Sequence, residues 1–193
     1  MSGILPTSEV EKRLFEKGLQ YITTHGWARF SMQRLTEELG VALDDLPLYL
    51  KTKEDFFSLV GRVLTEKCAQ ALSRKDLLEE SPKNRLLEWL LLRFEYLEPY
   101  RGGVNHMLNA AQKCPRLFTM QLSSALTQMQ IFYTYAHLNV AGILGQLKVK
   151  GATAMYLWTL RWWASSPERG MDQLMAYLDE KLTWGEEKMA RYA

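Results

Sequence analysis

Apolar residues recur along this chain at the three- and four-residue spacing of a helix, and no stretch shows the strict alternation of a half-buried strand. Val10, Leu14, Phe15, Leu19 and Ile22 form the first stripe. Ser8 opens it with Glu11 three residues on, the pairing of a capping box, and Gly26 stops it. Met32, Leu35 and Leu39 form a short second stripe between Ser31, a hydroxylic N-cap, and Gly40. After a compact segment over 42–50, Thr52 and Asp55 cap a longer helix carrying Phe56, Leu59, Val60, Val63 and Leu64. The polar stretch over 73–81 reads as a connection, and Ser81-Pro82 as the N-cap and first residue of a helix to about Leu97. Pro99 and Gly102-Gly103 break the chain before a short helix through Met107 and Ala110. Pro115 starts a long helix to about His137, and 139–145 reads as a loop with two glycines. An aromatic helix over 147–164 and a last one opened by Ser166-Pro167 complete an all-α chain of about nine helices. There is no internal repeat and no low-complexity segment.

Within this pattern, residues 31–50 have the form helix, glycine turn, second helix, the arrangement used for reading the DNA major groove. The wider run GLQYITTHGWARFSMQRLTEELGV, followed by LYLKTKEDFFSLV, resembles the N-terminal domain of the TetR family of bacterial regulators. Gly26 and Phe30 match that family's turn before helix two, and Ser31 its small N-cap. Leu35, Glu38 and Gly40-Val41 match the body and turn of the motif, and Lys53-Glu54 the Lys-acidic pair opening helix four. The resemblance covers about residues 8–65 by motif and the remainder by length and helix pattern. It implies a homodimer with an N-terminal three-helix unit that binds double-stranded DNA, here 1–65 with helix four continuing to about 73. A larger helical domain, 74–193, would bind a small molecule and dimerise through the last two helices. It also implies a repressor released by an apolar effector. The positions that would then meet DNA are Arg29, Ser31, Gln33, Arg34, Leu43, Tyr49, Lys51, Thr52 and Lys53.

The third helix of the motif departs from the family's pattern. The matching stretch, Ala42-Leu43-Asp44-Asp45-Leu46-Pro47-Leu48-Tyr49-Leu50, has two carboxylates and no Arg, Lys, Asn or Gln for base edges. Pro47 would break a helix begun at Leu43, so the expected helix starts with Asp44 or Asp45 as its N-cap. Charge points the same way. The whole chain, with 24 basic and 22 acidic residues, has a formal charge of +2. Residues 1–65 hold eight basic and nine acidic residues, a net of −1, so the positive balance lies outside the supposed DNA reader.

The second half is rich in large apolar side chains at helical spacing, and simple core packing accounts for most stripes of this kind. Met155, Trp158, Thr159 and Trp162 form one stripe and Tyr156, Leu160 and Trp163 another, so that helix is expected to be buried on two sides. An apolar ligand site between these helices would be lined by Trp89, Phe94, Met107, Met120, Phe132, Trp158 and Trp162. The runs RLLEWLLLRFEYLEPYRGGV and MYLWTLRWWASSPERGMDQLMAYLDEKL also resemble the C-terminal half of the TetR-fold ubiquinone-biosynthesis accessory proteins. The nearest match is the Ser165-Ser166-Pro167 turn with Met171, Leu174 and Leu178 after it. That resemblance implies an alternative function, a lipid- or quinone-binding accessory protein with a vestigial DNA-binding domain.

Other classes are not supported. Cys68 and Cys114 are too few for a disulfide framework and read as small hydrophobes. His25, His106 and His137 are scattered, with none at metal-ligand spacing, and no nucleotide-binding or hydrolase fingerprint occurs. The expectation is a non-enzyme without cofactor or metal. No window approaches the roughly 18 consecutive apolar residues of a spanning helix, and the first residues lack the features of a signal peptide. The expected location is cytoplasmic.

Overall fold

A computed structural model describes residues 8–46, 50–72 and 79–190, and all the regular structure in them is helical. The order is α1 (Glu9–His25), a 3-10 turn (Trp27–Arg29), α2 (Met32–Leu39), a 3-10 turn (Leu43–Asp45) and α3 (Asp55–Leu72). Then come α4 (Pro82–Leu97), a 3-10 turn (Glu98–Tyr100), α5 (Arg101–Lys113), α6 (Pro115–Tyr135), α7 (Gly142–Ala164) and α8 (Met171–Ala190). The all-α class holds, with eight α-helices among the described residues rather than about nine.

The capping chemistry is where the sequence places it. Ser8 Oγ accepts from the Glu11 N–H at 3.2 Å while the Ser8 N–H donates to the Glu11 carboxylate at 2.7 Å. Ser31 and Ser81 cap α2 and α4 through the N–H groups of Arg34 and Asn84. Thr52 and Asp55 bond reciprocally at 3.3 and 2.7 Å ahead of α3. Gly40 ends α2 in the left-handed region at φ 65°, where a side chain would be strained.

Several expectations change. The stretch at Leu43–Asp45 is a 3-10 turn capped by Ala42, with no side-chain cap, so neither Asp44 nor Asp45 serves as an N-cap. Residues 47–49, which include Pro47 and Tyr49, lie outside the described residues. The aromatic helix starts five residues early, at Gly142, because Asn139 Oδ1 accepts from the Ala141 N–H at 2.8 Å and turns the chain there. The last helix starts late, at Met171. Arg101, buried on α5, takes the carbonyls of Ser166, Pro167 and Arg169 at 2.9–3.2 Å and holds that segment as a loop. Its guanidinium lies 4.4 Å over the Trp163 ring, and Glu98 neutralises it at 2.8 Å.

One continuous buried cluster runs from Leu14 to Leu182. At its N-terminal end Phe30 sits between Trp27, 5.5 Å away, and Phe56, 4.8 Å away, with Leu19, Ile22 and Leu35 buried in the same cluster. Arg62 of α3 pairs with the nearly buried Glu11 of α1, tying these helices together. At its centre Trp89 stacks on Phe132 at 4.5 Å, and Phe94 meets Trp163 edge-on at 5.2 Å. The glycine pair expected to break the chain lies inside the first turn of α5. A Cβ on Gly103 would fall 2.9 Å from the Leu19 carbonyl oxygen and 3.1 Å from the Thr23 nitrogen. Gly103 is therefore where α1 and α5 approach backbone to backbone.

Candidate functional site

The first candidate is the rim formed by α2, the two 3-10 turns and the start of α3. Ser31, half-buried, spends its hydroxyl on the cap of α2, while Gln33 and Arg34 point outward. Arg34 Nη1 reaches the Tyr21 hydroxyl at 3.5 Å, which itself reaches the carbonyl of the exposed Arg29 at 3.5 Å. Gln33 bonds Glu37 along the helix at 3.0 Å. Lys53 lies 4.8 Å over the Trp27 ring and donates to the Ala28 carbonyl at 3.4 Å; burial lowers its pKa. Lys51 folds back on the Leu43–Asp45 turn, 3.4 Å from the Asp44 carbonyl and 3.9 Å from its fully exposed carboxylate. Leu43 is half-buried, Thr52 is exposed with its hydroxyl on Asp55, and Tyr49 lies outside the described residues. The rim therefore gathers Arg29, Arg34, Lys51 and Lys53, and Asp44 stands among them as an exposed acid.

The second candidate is a cavity of about 70 Å³ at the centre of the larger helical unit. Phe57, Gly61 and Leu64 of α3 form one wall, with Met107 of α5, Ala125 of α6 and Tyr156 of α7 among the others. Of the seven ligand positions expected from the sequence, Met107 lines this space. Trp89, Phe94 and Phe132 are core residues packed on other rings. Met120 is half-buried elsewhere on α6, and Trp162 stacks on Tyr177 at 4.5 Å beneath Arg169. Trp158 is 70 % exposed.

Sequence reasoning missed the polar side of the cavity. Arg93 occupies a slot on the buried stripe of α4, which runs Leu86, Trp89, Leu90, Arg93, Phe94, Leu97. A cation at an apolar position of the stripe was the available signal. Its Nη1 donates to Thr65 Oγ1 at 3.1 Å, and that hydroxyl donates to Gln128 Oε1 at 2.6 Å. Nearby, Cys68 is buried, and desolvation pushes its thiol up to about 12. Among the described residues no cluster of His, Cys, Asp and Glu could hold a metal ion, and no helix is long and apolar enough to cross a membrane.

An N-terminal unit of α1, α2 and the start of α3, which α3 continues into a larger helical bundle, defines a two-part all-α architecture. Comparison with solved structures makes this specific: the chain has the fold of the TetR family of transcriptional regulators. It is similar over 92 % of its length, at 19 % identity and a TM-score of 0.50, to 97 % of the TetR family transcriptional regulator PfmR from Thermus thermophilus. It also aligns with a regulatory protein of the TetR family from Rhodococcus, at 12 % identity and a TM-score of 0.47, over 92 % of this chain and 97 % of that one. The first of these likenesses carries the fold. No family model and no curated protein matches the chain.

Proposed function

We propose that this protein is a DNA-binding transcriptional regulator, a cytoplasmic homodimer that acts as a repressor and releases DNA when a small molecule enters the C-terminal bundle. The observation that carries the reading is the course of α3. Its capped start lies on the basic rim, and its middle, Phe57 to Leu64, forms a wall of the cavity. Anything that fills the cavity presses on the helix whose first turn borders the DNA-reading elements. Arg29, Arg34, Lys51 and Lys53 then supply phosphate contacts, with Ser31, Gln33, Leu43, Tyr49 and Thr52 beside them. Residues 1–65 act as the reading unit and 74–193 as the effector and dimerisation unit.

The dimer is inferred from α7. Ile143, Leu147, Gly151, Ala154 and Trp158 follow one another at helical spacing and are all exposed, Ile143 by 88 %. Met175 and Trp184 of α8 are exposed too. A contiguous apolar face of this kind, on the helices that close the bundle, suits a two-fold partner presenting the same face.

The alternative, a lipid- or quinone-carrying role, would need room for a long apolar chain, more than the about 70 Å³ between α3, α5, α6 and α7. The test of the regulator reading is fluorescence polarisation of duplexes tiling the promoter beside the protein's own gene, at low and physiological salt. Saturable binding to one duplex, steeply weakened by salt, is expected. Absence of binding to every duplex at low salt overturns the reading.

A further inference from the structure

We infer that the central cavity is an anion site for a short aliphatic carboxylate, with Arg93 as its counter-charge. The inference rests on the reading of this cavity as the effector site, and it names the ligand's chemistry.

Arg93 is 3 % exposed, lines the cavity, and makes no ion pair among the described residues. A guanidinium has five N–H donors in a planar fork. Here one hydrogen bond is formed, to Thr65, and the ring of Tyr156 lies 5.1 Å from the guanidinium carbon. Buried cations are otherwise paired, because leaving an ion desolvated and unpaired is among the costliest arrangements in a fold. Arg101 shows the paired form in this same chain, with a carboxylate and three carbonyls around its guanidinium.

The polarity of the neighbouring network says what is missing. Thr65 Oγ1 accepts from Arg93 and donates to Gln128 Oε1, so the oxygen of Gln128, which lines the cavity, is used and its amide nitrogen has no partner among the described residues. What remains on these two side chains is a set of donors, Arg93 and Gln128 Nε2. Their complement is a group that only accepts, carries a negative charge and fits a planar fork, which is a carboxylate.

No acid in the walls can play that part. Residues 99–167 hold no Asp or Glu at all, and they include the whole of α5, α6 and α7. On α3, Glu66 points to Lys12 and Gln70, and on α4 Glu95 is exposed. Apart from Gln121 and Ser124 the remaining lining is apolar, and Phe57, Leu64, Met107, Leu108 and Leu160 surround the space into which an aliphatic tail would extend. A volume of about 70 Å³ is half that of an engineered cavity of about 150 Å³ that binds benzene. The part of the tail held in this space is therefore short, in the range of propionate to butyrate.

The test uses the full-length protein without DNA, so its outcome is independent of operator binding. Thermal denaturation is recorded with sodium butyrate, with the isosteric neutral butyramide, and with sodium chloride at equal ionic strength. Butyrate should raise Tm by about 3–6 °C at ten times its Kd, and butyramide and chloride should not. Gln128→Glu places a carboxylate beside Arg93 and should raise Tm while abolishing the response to butyrate. Arg93→Met removes the unpaired charge at similar volume; it should be at least as stable as the parent and equally unresponsive. Equal shifts with butyrate and butyramide, or no butyrate shift at all, would overturn the assignment. So would an Arg93→Met protein that keeps the butyrate response, or a Gln128→Glu protein less stable than the parent. If DNA binding fails while butyrate still binds, the regulator reading falls and the anion site stands.

Discussion

Replacing Gly103 by alanine should drive α1 and α5 apart, and replacing its neighbour Gly102 should not. A Cβ at 103 would sit 2.9 Å from the Leu19 carbonyl oxygen, 3.1 Å from the Thr23 nitrogen and 2.6 Å from Thr23 Oγ1. Two of these are backbone atoms, and the Thr23 hydroxyl is fixed by its own 2.7 Å bond to the Leu19 carbonyl, so no flexible side-chain end can yield. Overpacking of this kind costs about 1–3 kcal/mol. Alanine returns about 0.5–1 kcal/mol by stiffening the helix relative to glycine. With two backbone atoms in the way the cost lies at the upper end, about 2–3 kcal/mol, so the net is a loss of about 1–2.5 kcal/mol, which for a chain of this size lowers Tm by about 2–10 °C. At 102 the new methyl meets Thr23 Cγ2 at 3.5 Å, an ordinary contact. Only the gain in helix stiffness remains, and Tm should rise by about 1–4 °C. Paired melts followed by helical ellipticity decide between them. A Gly103→Ala protein as stable as the parent, or two variants that shift in the same direction, would refute the backbone-to-backbone approach.

Lys51→Ala and Lys53→Ala should each lower the slope of log affinity against log salt by about one, measured by polarisation on the best-bound duplex. An unchanged slope would remove both from the phosphate-contacting rim. Trp158→Asp, at a position 70 % exposed, should convert the proposed dimer to a monomer in light scattering without loss of helical ellipticity; an unchanged mass would rule out α7 as the interface. Cys68 should stay inert to a thiol reagent in the native protein, while the half-buried Cys114 reacts, and both should react in denaturant. Burial raises both the Cys68 thiol and the Tyr133 hydroxyl to about 12. The native state therefore holds these protons where the unfolded chain releases them. Their contribution to stability is complete below about pH 9, the unfolded thiol range, and is lost as pH climbs toward 12. Denaturant midpoints taken from about pH 8 to 11 should fall steadily, and a flat profile would contradict the burial of both groups.

What could be read from the sequence was what is decided within four residues. The caps at Ser8, Ser31, Thr52 and Ser81 form because donor and acceptor lie on the same turn, so local spacing contains the whole interaction. Choices between distant partners were not legible. Gly102-Gly103 looked like a breaker because the backbone of α1, which makes the second glycine necessary, lies far away in the chain, at Leu19 and Thr23. The large aromatics of the second half looked like a ligand wall. Trp89, Phe94 and Phe132 instead fill one another's space, and the cavity lies where smaller groups such as Gly61, Ser124 and Ala125 leave room. The start of α7 is not legible in the periodicity because an Asn139 side chain, rather than a periodic apolar residue, sets it. Arg93 stood in plain view among leucines, and only its missing partner gives it meaning.

In the proposed regulator, the small cavity and the rim are joined by an arm whose length would set the response. From Leu64, at the cavity, to Asp55, at the capped start of α3, is a span of about 14 Å of helix. A tilt of about 10° around the cavity end would sweep the start of α3 through roughly 2.4 Å, whereas a hydrogen bond to a phosphate weakens over a few tenths of an ångström. Geometric gain of this kind separates the size of a signal from the size of its effect: in the proposed dimer, a molecule of a few heavy atoms would misalign two reading heads.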